Sequence, residues 1–111
     1  MRLFILSFGV TVQIDERGQV LSDGQKQFNE MVRAVFRIGP AWHGGQTTVF
    51  LRTDSSIDEV MRQLFLISTR DPGDLIFCLD TQTEEVRWVG HRFDEDGFDE
   101  VFPQAQEFVP T

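Results

Sequence analysis

Apolar side chains fill most of residues 2–12, and the run has no polar face. Such runs are typical of strands that other elements cover on both sides, so we expect a central strand of a sheet here. The same run is similar to the core of an export signal. Only Arg2 precedes it and no small-residue cleavage pattern follows, so we expect an unprocessed chain located in the cytoplasm.

Helical spacing appears first in residues 22–38. Ser22 and Asp23 are typical helix caps, and Gly39-Pro40 supplies a stop signal. The apolar residues between these signals recur three or four positions apart, which predicts one buried helix face: Phe28, Met31, Val32, Val35 and Phe36.

Residues 41–60 combine three local signals. Trp42-His43-Gly44-Gly45 is typical of a strand that enters a hairpin turn, where we expect the glycines to adopt positive backbone angles. Residues 47–53 are rich in β-branched and aromatic side chains, which predicts the returning strand. Ser56 and Glu59 have capping-box spacing, and the apolar face that follows predicts a second helix: Ile57, Val60, Met61, Leu64 and Phe65.

Two further apolar runs, residues 75–79 and 86–89, predict the last strands and complete the order βαββαββ. Each helix joins one strand to the next. We therefore expect an α+β fold, a ferredoxin-like sandwich in which an antiparallel sheet carries two helices on one face. Residues 1–90 form this domain, and residues 91–111 form an acidic-aromatic extension that packs on the core or on a partner subunit.

The sheet face opposite the helices needs a cover. Trp42, Phe50 and Trp88 are expected to line it, and large apolar side chains there indicate an oligomer interface. The extension adds further candidate interface residues: Phe93, Phe98 and Phe102.

Several segments carry a resemblance to a known family: Trp42-His43, Thr48 to Asp54, Ser56 to Val60, Asp74 to Phe77, and Trp88-Val89-Gly90. Together they resemble the small CRISPR-associated adaptation subunit, CRISPR-associated protein two, and especially its SinR-like relatives. The resemblance spans residues 1–90. It implies a ferredoxin-like homodimer in which the last strand of one subunit joins the partner's sheet. In the wider family it implies a metal-dependent nuclease or a DNA-bridging role.

The chain departs from that family at the end of the first strand. The resemblance implies a Tyr-Asp pair there, whose Asp holds a divalent metal across the dimer, but Phe8 and Gly9 occupy these positions. Glycine offers no carboxylate to a hard cation. We therefore expect no catalytic residue, no metal and no cofactor at the matched site.

The net charge of −8 is distributed unevenly along the chain. Residues 1–90 hold nine basic and twelve acidic side chains, whereas residues 91–111 hold one basic and six acidic ones. Direct nucleic-acid binding is disfavoured because no cluster of cations is present in the sequence. A local patch from four arginines stays open as an alternative: Arg33, Arg37, Arg52 and Arg62.

The remaining polar residues predict structure rather than chemistry. Cys78 is the single cysteine and reads as a small buried hydrophobe in a reducing compartment. His43 and His91 lack metal-ligand spacing and are expected to make ordinary hydrogen bonds. Scattered aspartates are expected to cap turns and helix starts: Asp54, Asp58, Asp71, Asp74 and Asp80.

Five carboxylates of the extension form a candidate acidic docking site: Asp94, Glu95, Asp96, Asp99 and Glu100. Three functions follow from these patterns. The first is a non-catalytic, homodimeric protein-interaction module, in prokaryotic or phage defence or counter-defence. The second is an acidic mimic of nucleic acid that inhibits a nucleic-acid enzyme. The third is a divergent metal-dependent nuclease that uses Asp54, Asp58 or the histidines.

Overall fold

A computed structural model describes residues 1–10, 12–22, 24–45, 47–66 and 72–110. Within these residues the chain forms a six-stranded sheet, a two-stranded hairpin and three helices. The strands are β1 (Arg2–Gly9), β2 (Gln13–Ile14), β3 (Val20–Ser22), β4 (Ala41–His43), β5 (Thr48–Thr53), β6 (Leu75–Asp80), β7 (Val86–Val89) and β8 (Gln106–Glu107). The helices are α1 (Gln25–Ile38), α2 (Ile57–Phe65) and α3 (Glu95–Val101).

The large sheet has the order β4-β5-β1-β6-β7-β8. All neighbours are antiparallel except β7 and β8, which are parallel. The α+β class is confirmed, and β1 lies between β5 and β6 as a central strand. The predicted order βαββαββ is not confirmed, because the hairpin β2–β3, the helix α3 and the strand β8 are added to it.

Helices α1 and α2 pack on one face of the sheet and enclose the main core. Phe4 and Leu6 of β1 point into it with no exposed area, and Phe8 is 2% exposed. Met31 and Val35 of α1 are fully buried against the same face, and α2 contributes a second set: Ile57, Val60, Met61 and Leu64.

The first strand differs in two ways from its prediction over residues 2–12. It ends at Gly9, and its two sides are not equally covered. Leu3 and Ile5 are only half-buried, whereas their neighbours on the helix side are buried. The apolar run therefore reflects one closed side and one partly open side of the sheet, a difference that composition alone does not reveal.

The start of α1 corrects the cap prediction. Its N-cap is Gly24 in the left-handed conformation, with no hydrogen bond from a capping side chain. Ser22 lies instead in β3 opposite Gln13, and Asp23 lies outside the described residues. The predicted stop is confirmed, since α1 ends at Ile38, immediately before Gly39-Pro40.

The start of α2 confirms Ser56 as the N-cap, because its hydroxyl accepts a hydrogen bond of 3.2 Å from the Glu59 N–H. The carboxylate of Glu59 takes different partners from those of a capping box, namely the side chains of Gln63 and Arg62. These two hydrogen bonds lower the pKa of Glu59, and the one from Gln63 has the larger effect.

The hairpin of β4 and β5 is present, but its glycines do not adopt the predicted positive backbone angles. Positive backbone angles occur at Gly18, Gly24 and Gly90 among the described glycines, not at Gly44 or Gly45. A Cβ atom on Gly44 would lie 2.4 Å from the ring of Trp42. Glycine at position 44 therefore makes room for the indole.

None of the helices in the described part of the chain is long and apolar enough to cross a membrane.

Candidate interaction surface

The face of the sheet opposite α1 and α2 carries an apolar row that crosses five strands. The strand register pairs Trp42 with Phe50, Phe50 with Ile5, Ile5 with Leu79, and Leu79 with Val86. Directly opposed residues point to the same side of a sheet, so these five side chains share this face. We call them the cross-strand row. Phe77 and Trp88 form a second opposed pair on the same side.

One end of the cross-strand row, the covered half over β6 and β7, lies beneath α3. The Phe98 ring meets the rings of Phe77 and Trp88 edge-on, each at 6.1 Å between centroids. Phe102 lies 5.1 Å from Phe77 and 5.3 Å from Phe98. Val86, the last member of the row, is fully buried. The acidic-aromatic segment thus supplies the apolar cover for this half.

A charged clasp joins the covered half to α3. The Arg92 guanidinium lies over the Trp88 ring, 3.9 Å from its centroid, and 4.9 Å from that of Phe98. The same guanidinium donates to Asp99 at 2.9 Å, although Asp99 is 65% exposed. Arg92 therefore contacts the Trp88 ring of β7 and, on α3, both the Phe98 ring and the neighbouring Asp99 carboxylate, which orients the helix on the sheet.

The other end, the open half, consists of β4, β5 and the near side of β1. The Trp42 and Phe50 rings stack there with centroids 5.4 Å apart and planes at 28°. Trp42 is nevertheless 65% exposed, and Ile5 and Phe50 are only half-buried. A shallow cavity of about 310 Å³ adjoins the rings, lined also by Leu3 and Arg52. This half presents aromatic and aliphatic surface to solvent.

The predicted interface residues therefore divide into three groups. Trp42 and Phe50 contact each other in the open half, and Trp88, Phe98 and Phe102 meet in the covered half. Phe93 contacts only the His91 ring among the aromatic pairs of the described residues, at 5.8 Å, and is 90% exposed.

The five acidic docking residues also divide by role. Asp94 caps α3 by accepting from the Gly97 N–H at 3.2 Å, and Asp99 pairs with Arg92. Both are therefore part of the helix and its attachment. Glu95, Asp96 and Glu100 are exposed on α3. All five carboxylates are exposed, and Asp94 and Asp99 also hold the helix and its attachment.

The structure separates the two histidines. His43 lies in β4 with its ring 5.6 Å from that of Phe28 of α1, whereas His91 follows β7. Strands β4 and β7 are four positions apart in the sheet, about 19 Å at ordinary strand spacing. Across the described residues, no group of three or more His, Cys, Asp or Glu side chains is arranged to hold a metal ion.

The aspartates outside the extension mostly make structural contacts. The buried Asp80 accepts from the Gln82 N–H at 2.9 Å and from Arg2 at 3.1 Å. Asp58 pairs with Arg87 at 3.0 Å, and the exposed Asp54 lies 3.6 Å from the N-terminal amine. Asp74 is fully buried, and Asp71 lies outside the described residues.

The four arginines of the open alternative do not form one patch. Arg33 and Arg37 lie on α1, whereas Arg52 opposes Leu3 on the other face of the sheet and donates to the Met1 carbonyl at 3.2 Å. Arg62 on α2 pairs with Glu59.

Cys78 is buried on the helix side of β6, and burial raises the pKa of its thiol.

Sequence reasoning missed α3 and the clasp of Arg92. Phe98 and Phe102 have the i, i+4 spacing of side chains that meet on a helix, which is the signal that indicates α3. The pairing of Arg92 with Trp88 has no such local signal, because it depends on the turn at Gly90.

No protein-family model, curated protein or solved structure matches this chain.

Proposed function

We propose that this chain is a non-catalytic, homodimeric protein-interaction module, and that two copies associate through the open half. The observation that carries the proposal is Trp42, which is 65% exposed although it belongs to a continuous apolar row. An exposed ring does not gain the free energy that burial provides, so a partner that covers it is favoured. Trp is also enriched at the centres of protein interfaces.

A second copy is the partner that this surface fits best. A two-fold axis through the open half, parallel to the strands, lays the cross-strand row of one copy against that of the other. Trp42 of each copy is then covered by Ile5 and Leu3 of its partner. Arg52 and Asp54 lie at the rim, where charged groups stay hydrated.

The decisive measurement is the molar mass of the protein by light scattering across a concentration series. We expect a dimer for the wild-type chain and a monomer for Trp42→Ser, because the substitution removes the largest exposed ring of the open half. Phe93→Ser is the matched control, since Phe93 is 90% exposed but lies off the sheet. A wild-type monomer at all concentrations, or equal loss with both variants, contradicts the proposal.

The non-catalytic part of the proposal has its own test. Purified protein is incubated with DNA and with RNA in magnesium or manganese, and we expect no cleavage. Cleavage that disappears on substitution of Asp54 or Asp58 would instead establish the nuclease alternative.

The wider setting follows the family resemblance and is also a proposal: a cytoplasmic, ferredoxin-like scaffold similar to the CRISPR adaptation subunit, acting in defence or counter-defence. One feature supports the scaffold, and another distinguishes the chain from the catalytic members of that family. The strands β4-β5-β1-β6 form an antiparallel set, with α1 and α2 packed against its strands. Gly9, at the end of β1, is the position where the resemblance implies the missing metal ligand.

The acidic mimic is a second candidate, favoured by the exposed carboxylates of α3. Its test neutralises Glu95, Asp96 and Glu100 together, because Asp94 and Asp99 also hold the helix in place. We expect capture of a basic partner from the native host to be lost. Neutralising Glu16, Glu30 and Glu84 gives a control with the same change in net charge, and equal capture by both variants rejects this candidate.

A further inference from the structure

We propose that α3 and its flanking residues, 91–105, form a displaceable lid that controls how much of the sheet face a second copy reaches. This inference rests on the homodimer proposed above. With the lid closed, association uses the open half alone. With the lid open, the whole cross-strand row becomes available to the partner copy, and the dimer becomes tighter.

The lid covers the same kind of surface that the open half exposes. The row passes without interruption from Trp42 through Ile5 to Leu79 and Val86. Only the cover changes along it. Phe98 and Phe102 cover the β6 and β7 part of this face. In the proposed dimer, apolar side chains of the partner cover the neighbouring open half in the same way.

The attachment of α3 is weak compared with that of the other helices. It has seven residues, none of them buried, and it contains Gly97. Helices this short do not persist in water without tertiary contacts, and an interior glycine lowers helix stability further. The lid is attached to the rest of the chain by the rings of Phe98 and Phe102, by the clasp of Arg92 with Asp99, and by a hydrogen bond of 2.6 Å from the Gln104 side chain to the Glu84 carbonyl.

The ends of the lid are fixed far more firmly than its middle. Gly90 precedes it with φ at +101°, and its backbone lies directly against the Asp74 carbonyl. After the lid, Phe108 is 8% exposed in the main core, and its N–H donates to the Trp88 carbonyl at 2.8 Å. The segment between these anchors is therefore able to lift while both ends stay attached.

The test compares self-association constants, measured by sedimentation equilibrium, for the wild type and for the double variant Phe98→Ser/Phe102→Ser. We expect the double variant to dimerise at least tenfold more tightly, because Phe77, Leu79 and Trp88 become accessible. Phe93→Ser is the control within the same segment and leaves the constant unchanged. An unchanged or weaker dimer in the double variant overturns the lid.

Hydrogen exchange on the wild-type chain gives an independent measurement that needs no variant to fold. The Phe98 and Phe102 amides donate to the Asp94 and Phe98 carbonyls at 2.9 and 2.8 Å. We expect them to exchange at least a hundredfold faster than the β6 amides, because the lid opens while the sheet stays intact. Equal protection overturns the lid.

The two proposals fail in different ways. If the wild type and Trp42→Ser are both monomeric, the homodimer is wrong, and hydrogen exchange alone then decides whether α3 opens. If the wild type is a dimer but α3 is protected as strongly as β6, the homodimer stands and the lid is wrong.

Discussion

The two ends of the cross-strand row contain similar side chains in opposite surroundings. Trp42 at one end is 65% exposed, whereas Val86 at the other is fully buried. At the buried end, α3 lies over β6 and β7, where Phe98 and Phe102 contact the rings of Phe77 and Trp88. The chain thus supplies an apolar cover for half of this face and leaves the other half exposed to solvent.

The covered half shows that an acidic segment can also supply apolar packing. The extension holds six of the acidic residues of the chain, but Phe98 and Phe102 turn inward while Glu95, Asp96 and Glu100 stay outside. Apolar burial of the rings stabilises the segment, and the carboxylates keep its outer side hydrated. The carboxylates and the packed rings therefore lie on opposite sides of this short segment.

The largest effect is expected at Gly90, which leads the chain into the covering segment. Ala there would adopt a positive φ and bring its Cβ within 2.1 Å of the Asp74 carbonyl oxygen. We expect Gly90→Ala to lower the free energy of unfolding by about 3 kcal/mol, from strain and displaced backbone. Urea denaturation measures this change.

Gly45→Ala is the matched control at the open end. No atom lies within 4 Å of a Cβ at Gly45, and its φ is not positive. We expect a change within about 0.5 kcal/mol. Similar losses at both positions would remove the contrast between the anchored end and the open end of this face.

A second comparison removes one ring from each half. Phe102 contacts the rings of Phe77 and Phe98, whereas Phe50 stacks on an exposed indole. We expect Phe102→Ala to lower the free energy of unfolding by about 2 kcal/mol and Phe50→Ala by about 1 kcal/mol in the monomer. Urea denaturation at low protein concentration checks the ranking, and the reverse order would show that α3 contributes little cover.

A smaller effect is expected for the clasp. Asp99→Asn removes the ion pair with Arg92 but keeps the shape of the side chain, and Asp99 is 65% exposed. We expect a loss of about 0.5 kcal/mol that disappears in high salt, because exposed pairs are screened. Asp96→Asn is the control and leaves stability unchanged at either ionic strength. A loss for Asp99→Asn that persists in high salt would indicate a packing role instead.

The smallest effect is expected at Cys78, on the helix side of β6. Burial raises the pKa of its thiol, so very little thiolate is present near neutral pH. A thiol reagent should react equally slowly with the wild type and with Phe98→Ser/Phe102→Ser, because lifting α3 uncovers the opposite face. Faster labelling of the variant would show that the core itself has opened.

Local signals in the sequence predicted the elements whose apolar pattern is long and regular. Ser56 and the apolar face after it predicted α2, and the continuous run over residues 2–12 predicted a central strand, which ends at Gly9. The hairpin β2–β3 and strand β8 were missed because strands of two or three residues show no periodicity. Helix α3 was missed because it has seven residues and its local signal is a single i, i+4 pair of rings, Phe98 and Phe102.

The candidate site was predictable in kind but not in arrangement. Trp42, Phe50 and Trp88 were expected on one face of the sheet, and the strand register puts them there. The sequence did not indicate that Trp88 is covered and Trp42 is not. That distinction depends on where the turn after Gly90 sends the extension, which is a tertiary property.

The outer strands of the large sheet are both short. They are Ala41–His43 and Gln106–Glu107, three and two residues long. An edge with so few free backbone groups offers no template for a growing ladder of strands. We therefore expect neither edge of this sheet to extend into a fibril, even though the indole of Trp42 is exposed close to one of them.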